Sequence, residues 1–179
     1  MFKPAFAIAC LLSAPAWCGD TDANGALNPP EMGIDRVLDN AARGQVDMIT
    51  CASGYHLTKK GDHIDARSVF TACAAAGYTG AMTWMGQLDN NGLGAEYNPD
   101  AAAEWDRRAA LAGDPVGQFN YGLDLIRGHG VAQDTGQGRA LVDKAAAQGL
   151  DIALRLQAAG YDPEEVTPDA DNWKYAPAF

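Results

Sequence analysis

Residues 109 to 119 read AALAGDPVGQF, and residues 145 to 155 read AAAQGLDIALR. Both stretches open on paired alanines, reach a glycine and then begin a new run with apolar residues at helical spacing. Their glycines, Gly113 and Gly149, stand 36 residues apart. The same shift of 36 lays Gly77 on Gly113, Gly86 on Gly122, Gly92 on Gly128, Gly94 on Gly130, and Ala109-Ala110 on Ala145-Ala146. Self-similarity at a period of roughly 20 to 50 residues marks a solenoid, in which each unit buries its apolar face against its neighbour.

Two helices can be derived within each period. Residues 115 to 127 place Val116, Phe119, Leu123 and Ile126 on one helical face. Asp114 before them can accept from free first-turn amides, and Pro115 brings a pre-set φ. The second helix starts after Asn98 in one copy and after Asp134 in the next, again with a capping side chain at equivalent positions. Ala101, Trp105, Ala109 and Ala112 are expected to form its apolar stripe in the first of these copies, and Leu141, Val142 and Ala145 in the second. Gly77, Gly113 and Gly149 end these helices as C′ residues. Gly92-Leu93-Gly94 and Gly128-His129-Gly130 supply the turns between helices. Gly86 and Gly122 would each cost about 1 kcal/mol inside a helix, so their recurrence predicts a close approach of two helix backbones.

Upstream, residues 44 to 77 read as a degraded first copy, with helices near 45 to 58 and 64 to 76 and a loop about three residues shorter than in the later copies. Ala66, Val69, Phe70 and Cys73 carry its second stripe. Downstream, Asp151 to Ala159 begins a helix that Gly160 stops, which suits the terminal cap an open array requires.

The pattern Gly122-x5-Gly128-x-Gly130-Val131-x2-Asp134-x5-Ala140-x4-Ala145-Ala146-x2-Gly149 resembles the SEL-1-like repeat, a relative of the tetratricopeptide repeat. The copy at 81 to 113 is similar through Ala81, Gly86, Gly92, Gly94, Asp100, Ala102, Trp105, Ala109, Ala110 and Gly113. The resemblance covers roughly residues 44 to 160. It departs at Asp89, which stands where the family usually has an aromatic residue, and in the short first loop. It implies an all-α fold, an α-α solenoid of about three antiparallel helix pairs plus a terminal cap.

Cys51 and Cys73 lie equidistant from the Gly61-Asp62 centre of the first loop, so in an antiparallel hairpin their sulfurs face each other. A disulfide between them is expected, with two buried free thiols as the alternative. Closing a loop of this size contributes roughly 3 kcal/mol in the chain-entropy model.

The start of the chain, MFKPAFAIACLLSAPAW, carries one positive charge, a short apolar run and small residues in an A-x-A arrangement. This is the pattern of a signal peptide over residues 1 to 16 and predicts a periplasmic or secreted protein. The run falls short of the roughly 20 apolar residues of a membrane span. Cys18 follows at once, where a lipid anchor would sit, but Trp17 is too large for the small residue that lipidation expects. The alternatives for Cys18 are a free thiol or a bond to another chain. Residues 17 to 33 are polar and turn-rich and read as a flexible lead-in, 34 to 160 as the repeat domain, and 161 to 179 as a tail. In that tail Trp173, Tyr175 and Phe179 are expected to cap the array; the alternative is a linear motif offered to a partner.

The 179 residues carry a formal charge of −10. Removing Lys3 with the signal peptide takes it to −11. Such a protein is a poor ligand for nucleic acid or anionic membrane surfaces.

No Gly-x-Ser-x-Gly, phosphate-binding loop or metal spacing is present, so no catalytic residue, cofactor or metal ion is expected. His56, Asp62, His63 and Asp65 read as a solvated turn, with a weak metal site as the alternative, His129 as a surface residue, and Asp106, Asp124 and Asp143 as exposed helix-face carboxylates. What remains is the surface of the array. Trp84, Asn91, Asn120, Asp124 and Arg127 are the candidate contacts for a protein or peptide partner, with Asn120, Asp124 and Arg127 forming one polar stripe; the alternative is a structural role, because Cys51 is the rough equivalent of Trp84 and Asn120 and its bond across the hairpin would turn part of that stripe inward. The expected function is that of an exported adaptor. An alternative follows from the resemblance: some cysteine-rich members of that family are linked to β-lactam binding or hydrolysis. A purely structural envelope component is the third reading.

Overall fold

The computed structural model describes residues 33 to 166. The expected signal peptide, almost all of the lead-in and the aromatic tail residues lie outside the described residues. Among the described residues the chain is all-α, with α1 (Ile34–Ala42), α2 (Met48–Lys60), α3 (His63–Ala75), α4 (Thr79–Asn90), α5 (Pro99–Leu111), α6 (Pro115–Arg127), α7 (Thr135–Ala147) and α8 (Asp151–Ala158). A short 3-10 turn, Pro163–Glu165, follows. The pairs α2/α3, α4/α5 and α6/α7 are the three repeat units. From α2 onward each helix packs chiefly on its chain neighbours, so the units stack linearly, while α1 packs mainly on α3.

The helix starts follow from side chains that accept orphaned amides. Asn98 accepts from the Ala101 amide at 3.0 Å, Asp114 from Gly117 at 2.9 Å and Asp134 from Gln137 at 2.9 Å. Asp47 does the same for Thr50 at 2.7 Å. Gly130 shows why the turns need glycine. Its φ is +64°, and an added Cβ would lie 2.0 Å from the Pro99 carbonyl oxygen of the preceding unit.

The recurring helical glycines do mark close approaches, of two kinds. A Cβ on Gly122 would lie 2.8 Å from the Gly138 backbone oxygen, so two backbones meet there. At Gly86 the space is instead filled by a side chain, the Asp106 carboxylate, at 3.1 Å.

The stripes of α3 and α6 are buried along the expected residues. In α5 the expected stripe is corrected. Ala102, Ala103, Asp106, Ala109 and Ala110 face inward, Trp105 is half-buried and Ala112 is exposed. Three consecutive alanines give the helix no periodic contrast there, so packing against Gly86 of α4 and Gly117 of α6 decides which face turns in.

Cys51 and Cys73 are joined by a disulfide with Cα atoms 5.9 Å apart, tying α2 to α3. The apolar core falls into two clusters. One runs from α1 to α5 and includes Phe70, Trp84 and Leu88. The other runs from α6 to the 3-10 turn and includes Phe119, Val142 and Leu156.

Candidate functional site

The five candidate contact residues do not share one surface. Trp84 is buried, its ring stacked on Phe70 at 5.9 Å and meeting Tyr55 edge-on at 5.4 Å. Its expected surface role is corrected, since the large ring completes the first unit's core. Asn91 is exposed and donates to the Gln87 carbonyl at 2.8 Å. Asn120 and Asp124 are buried on α6, while Arg127 on the same helix is exposed. Their common stripe is therefore split: two positions turn into the junction with α5, and Arg127 reaches the C-terminal segment. Its guanidinium donates through one nitrogen to the Pro163 carbonyl and, at 2.9 Å, to the Val166 carbonyl.

Asp106, expected on a solvated face, is buried as well, so that expectation is corrected for both Asp106 and Asp124. Asp143 is exposed as expected and accepts from the Tyr161 hydroxyl and Gln157. Asn120 donates from Nδ2 to Asp106 Oδ1 at 3.3 Å. Asn120 Oδ1 and Asp124 Oδ2 are buried without a hydrogen-bond partner. Burial pushes the Asp106 carboxyl well above the usual carboxylate range, with Asp124 and Asp114 adding to the effect and the Asn120 amide opposing it. Burial also raises Asp124 to about 7, against the pull of Arg127. Arg127 lies one turn away but spends its hydrogen bonds on the C-terminal carbonyls.

The repeat makes these polar residues stand out. Asp106 is 36 residues from both Phe70 and Val142, and Asn120 is 36 residues from both Trp84 and Leu156. The equivalence is spatial too. A Cβ on Gly54, Gly86 or Gly122 would meet Phe70 at 2.6 Å, Asp106 at 3.1 Å or Val142 at 3.1 Å respectively. Thus the Phe70–Trp84 stack, the Asp106–Asn120 hydrogen bond and the buried Val142 and Leu156 occupy corresponding layers of successive units. Asp124 likewise corresponds to the fully buried Leu88. The polar layer lies where the two apolar clusters part.

Other candidates are dispersed. Among the described residues no group of three or more His, Cys, Asp or Glu side chains is placed to hold a metal ion. His63 Nδ1 is buried without a partner, and Asp62 pairs with Lys60 at 3.0 Å. His129 is half-buried, its Nε2 3.0 Å from Asn90 Oδ1, rather than fully at the surface. Asp89, at the family's usual aromatic position, is buried against Arg67 at 2.6 Å, so an ion pair replaces the missing ring. Ser53 and Ser68, the described serines, donate to carbonyls four residues back. A cleft of about 330 Å³ between α1 and α2 is lined by residues including Arg36, Val37, Asn40, Ile49 and Ser53. No described helix is long and apolar enough to cross a membrane.

These features define an α-solenoid of antiparallel helix pairs with a helical cap. The chain is similar to a Sel1 repeat protein from Oxalobacter formigenes, with 30 % identity and a TM-score of 0.57 over 70 % of this chain and 97 % of that one. It belongs to the SEL-1-like repeat family. In fold it is also similar to a protective antigen present in uropathogenic Escherichia coli strains and displaying an SLR fold, at 22 % identity and a TM-score of 0.50, over 82 % of this chain and 37 % of that one. No family model matches the sequence, and no curated protein matches it.

Proposed function

We propose that this protein is an exported, non-enzymatic scaffold that holds another protein in the periplasm or outside the cell. The observation that carries this reading is the linear array. Helices that pack chiefly on their chain neighbours leave an extended surface, and stacked helix pairs use such surfaces to bind peptides and proteins. Export is supported by the composition of residues 1 to 16 and by the Cys51–Cys73 bond, which suits an oxidising compartment. The described serine hydroxyls are committed to helix carbonyls, which speaks for binding over acyl transfer.

The test is affinity capture of the tagged mature chain from its native envelope fraction, with crosslinking and mass spectrometry. One specific partner crosslinked along residues 81 to 127 is expected, with no turnover of a β-lactam reporter above a blank. Recovery of nothing specific would overturn the scaffold reading, and sustained turnover would replace it with an enzymatic one.

A further inference from the structure

The buried layer formed by Asp106, Asn120 and Asp124 holds more acceptors than donors: the Asn120 amide donates to Asp106, and no donor reaches Asn120 Oδ1 or Asp124 Oδ2. Its neighbours in the repeat are apolar and complete, as the Phe70–Trp84 stack and the buried Val142 and Leu156 show. A buried polar group without a partner costs roughly 1 to 3 kcal/mol, more when charged. Here two acceptors, Asn120 Oδ1 and Asp124 Oδ2, are in that state. Asp106, Asn120 and Asp124 are themselves buried, exposing only 2 %, 6 % and 5 % of their surface, so a guest reaches the layer only where α5 and α6 part.

We propose that this polar layer is a recognition point for a basic side chain of the partner protein. The inference rests on the scaffold reading and specifies its chemistry. An arginine or lysine brings several N–H donors and no acceptor, which is what two unmet oxygens beside two carboxyl groups require. The fold already completes one buried carboxylate in this way, with Arg67 reaching Asp89 at 2.6 Å and the Leu93 carbonyl at 3.5 Å. Asp124 receives no such bond from its own helix; Arg127 donates through one guanidinium nitrogen to the Pro163 and Val166 carbonyls instead. A metal ion fits less well, since no group of three metal-ligating side chains is assembled among the described residues. The guest enters between the two apolar clusters, by parting α5 from α6 where Ala109 packs on Gly117.

The probe is an end-capped glycine–serine nonapeptide with one central arginine, compared with the same peptide carrying lysine or norleucine there. At pH 8 the arginine peptide is expected to shift the Asn120 side-chain amide resonances saturably, the lysine peptide to do so more weakly, and the norleucine peptide not at all. At pH 5.5, where Asp124 is protonated, binding weakens by about tenfold or more. The variant D106V/N120L/D124L, which copies the residues of the neighbouring units, is expected to fold with a melting temperature no lower than that of the parent and to lose binding. D124N, close in size, provides the second arm and weakens binding at pH 8. Equal binding of the norleucine peptide, or undiminished binding by both variants, would overturn the proposal. Calcium chloride alone reproducing the Asn120 shifts would assign a metal site and overturn it as well. Capture of a specific partner while the arginine peptide leaves Asn120 unmoved would retain the scaffold reading and remove only this one.

Discussion

Gly122 and Gly136 show how much a single position in this array depends on what faces it. In a helix, alanine is favoured over glycine by about 1 kcal/mol. On Gly122 the new methyl would sit 2.8 Å from the Gly138 oxygen, a backbone atom that cannot swing aside. Gly122→Ala is therefore expected to destabilise by about 1 to 3 kcal/mol, as overpacking does. On Gly136 the nearest atom is the Asp134 carboxylate at 3.5 Å, an ordinary contact, and Gly136→Ala is expected to stabilise by up to about 1 kcal/mol. Urea midpoints of the two variants check the opposite signs. Asp124 allows a prediction from pH. Its carboxyl titrates near 7 in the folded chain but near 4 when unfolded, so between those values the native state binds the extra proton. Stability then falls as pH rises from about 4 to about 7, by at most about 4 kcal/mol, and this contribution levels off above. D124N is expected to make that slope shallower, while an unchanged slope would place the titration elsewhere. The sequence marks both carboxylates as surface residues because charge on a helix is ordinarily solvated. The signal for their burial was nonetheless present. A shift of 36 lays Asp106 on Phe70 and Val142, and Asp124 on Leu88.

At the scale of elements, capping and turn chemistry are what made the fold legible. Asp114, Asn98 and Asp134 cap the helices expected of them, and α6 runs over the anticipated residues 115 to 127. The α2 and α3 boundaries differ from expectation by one to three residues, because no proline marks those starts. The sequence reading did not resolve α1 as a separate helix. Ile34, Val37, Leu38 and Ala41 have helical spacing, but this helix has no counterpart in the repeat, and its role of covering the first unit depends on packing against α3. The face of α5 was likewise invisible, because consecutive alanines carry no pattern. The α2/α3 hairpin holds the only disulfide among the described residues. Replacing both of its cysteines, as C51S/C73S, is expected to cost about 3 kcal/mol. Amide exchange should rise most in α2 and α3, with α6 and α7 little changed. A loss spread evenly over all helices would mean that the units do not act as neighbours in a linear array.

For the whole molecule, the division of the core is the feature that connects fold with function. An apolar cluster on each side of a polar layer gives a solenoid with one electrostatically incomplete joint, within a chain whose formal charge is −10. Periodicity exposes the array, but the break in its core depends on side chains from α5 and α6 meeting in space. The scaffold reading is tested most directly by hydrogen–deuterium exchange on the full mature chain, alone and with its captured partner. Protection concentrated in α4 and α6, residues 79 to 90 and 115 to 127, is the expected result. Protection confined to residues 161 to 179, or none anywhere in the helices, would contradict a repeat array that holds its partner through the stacked units.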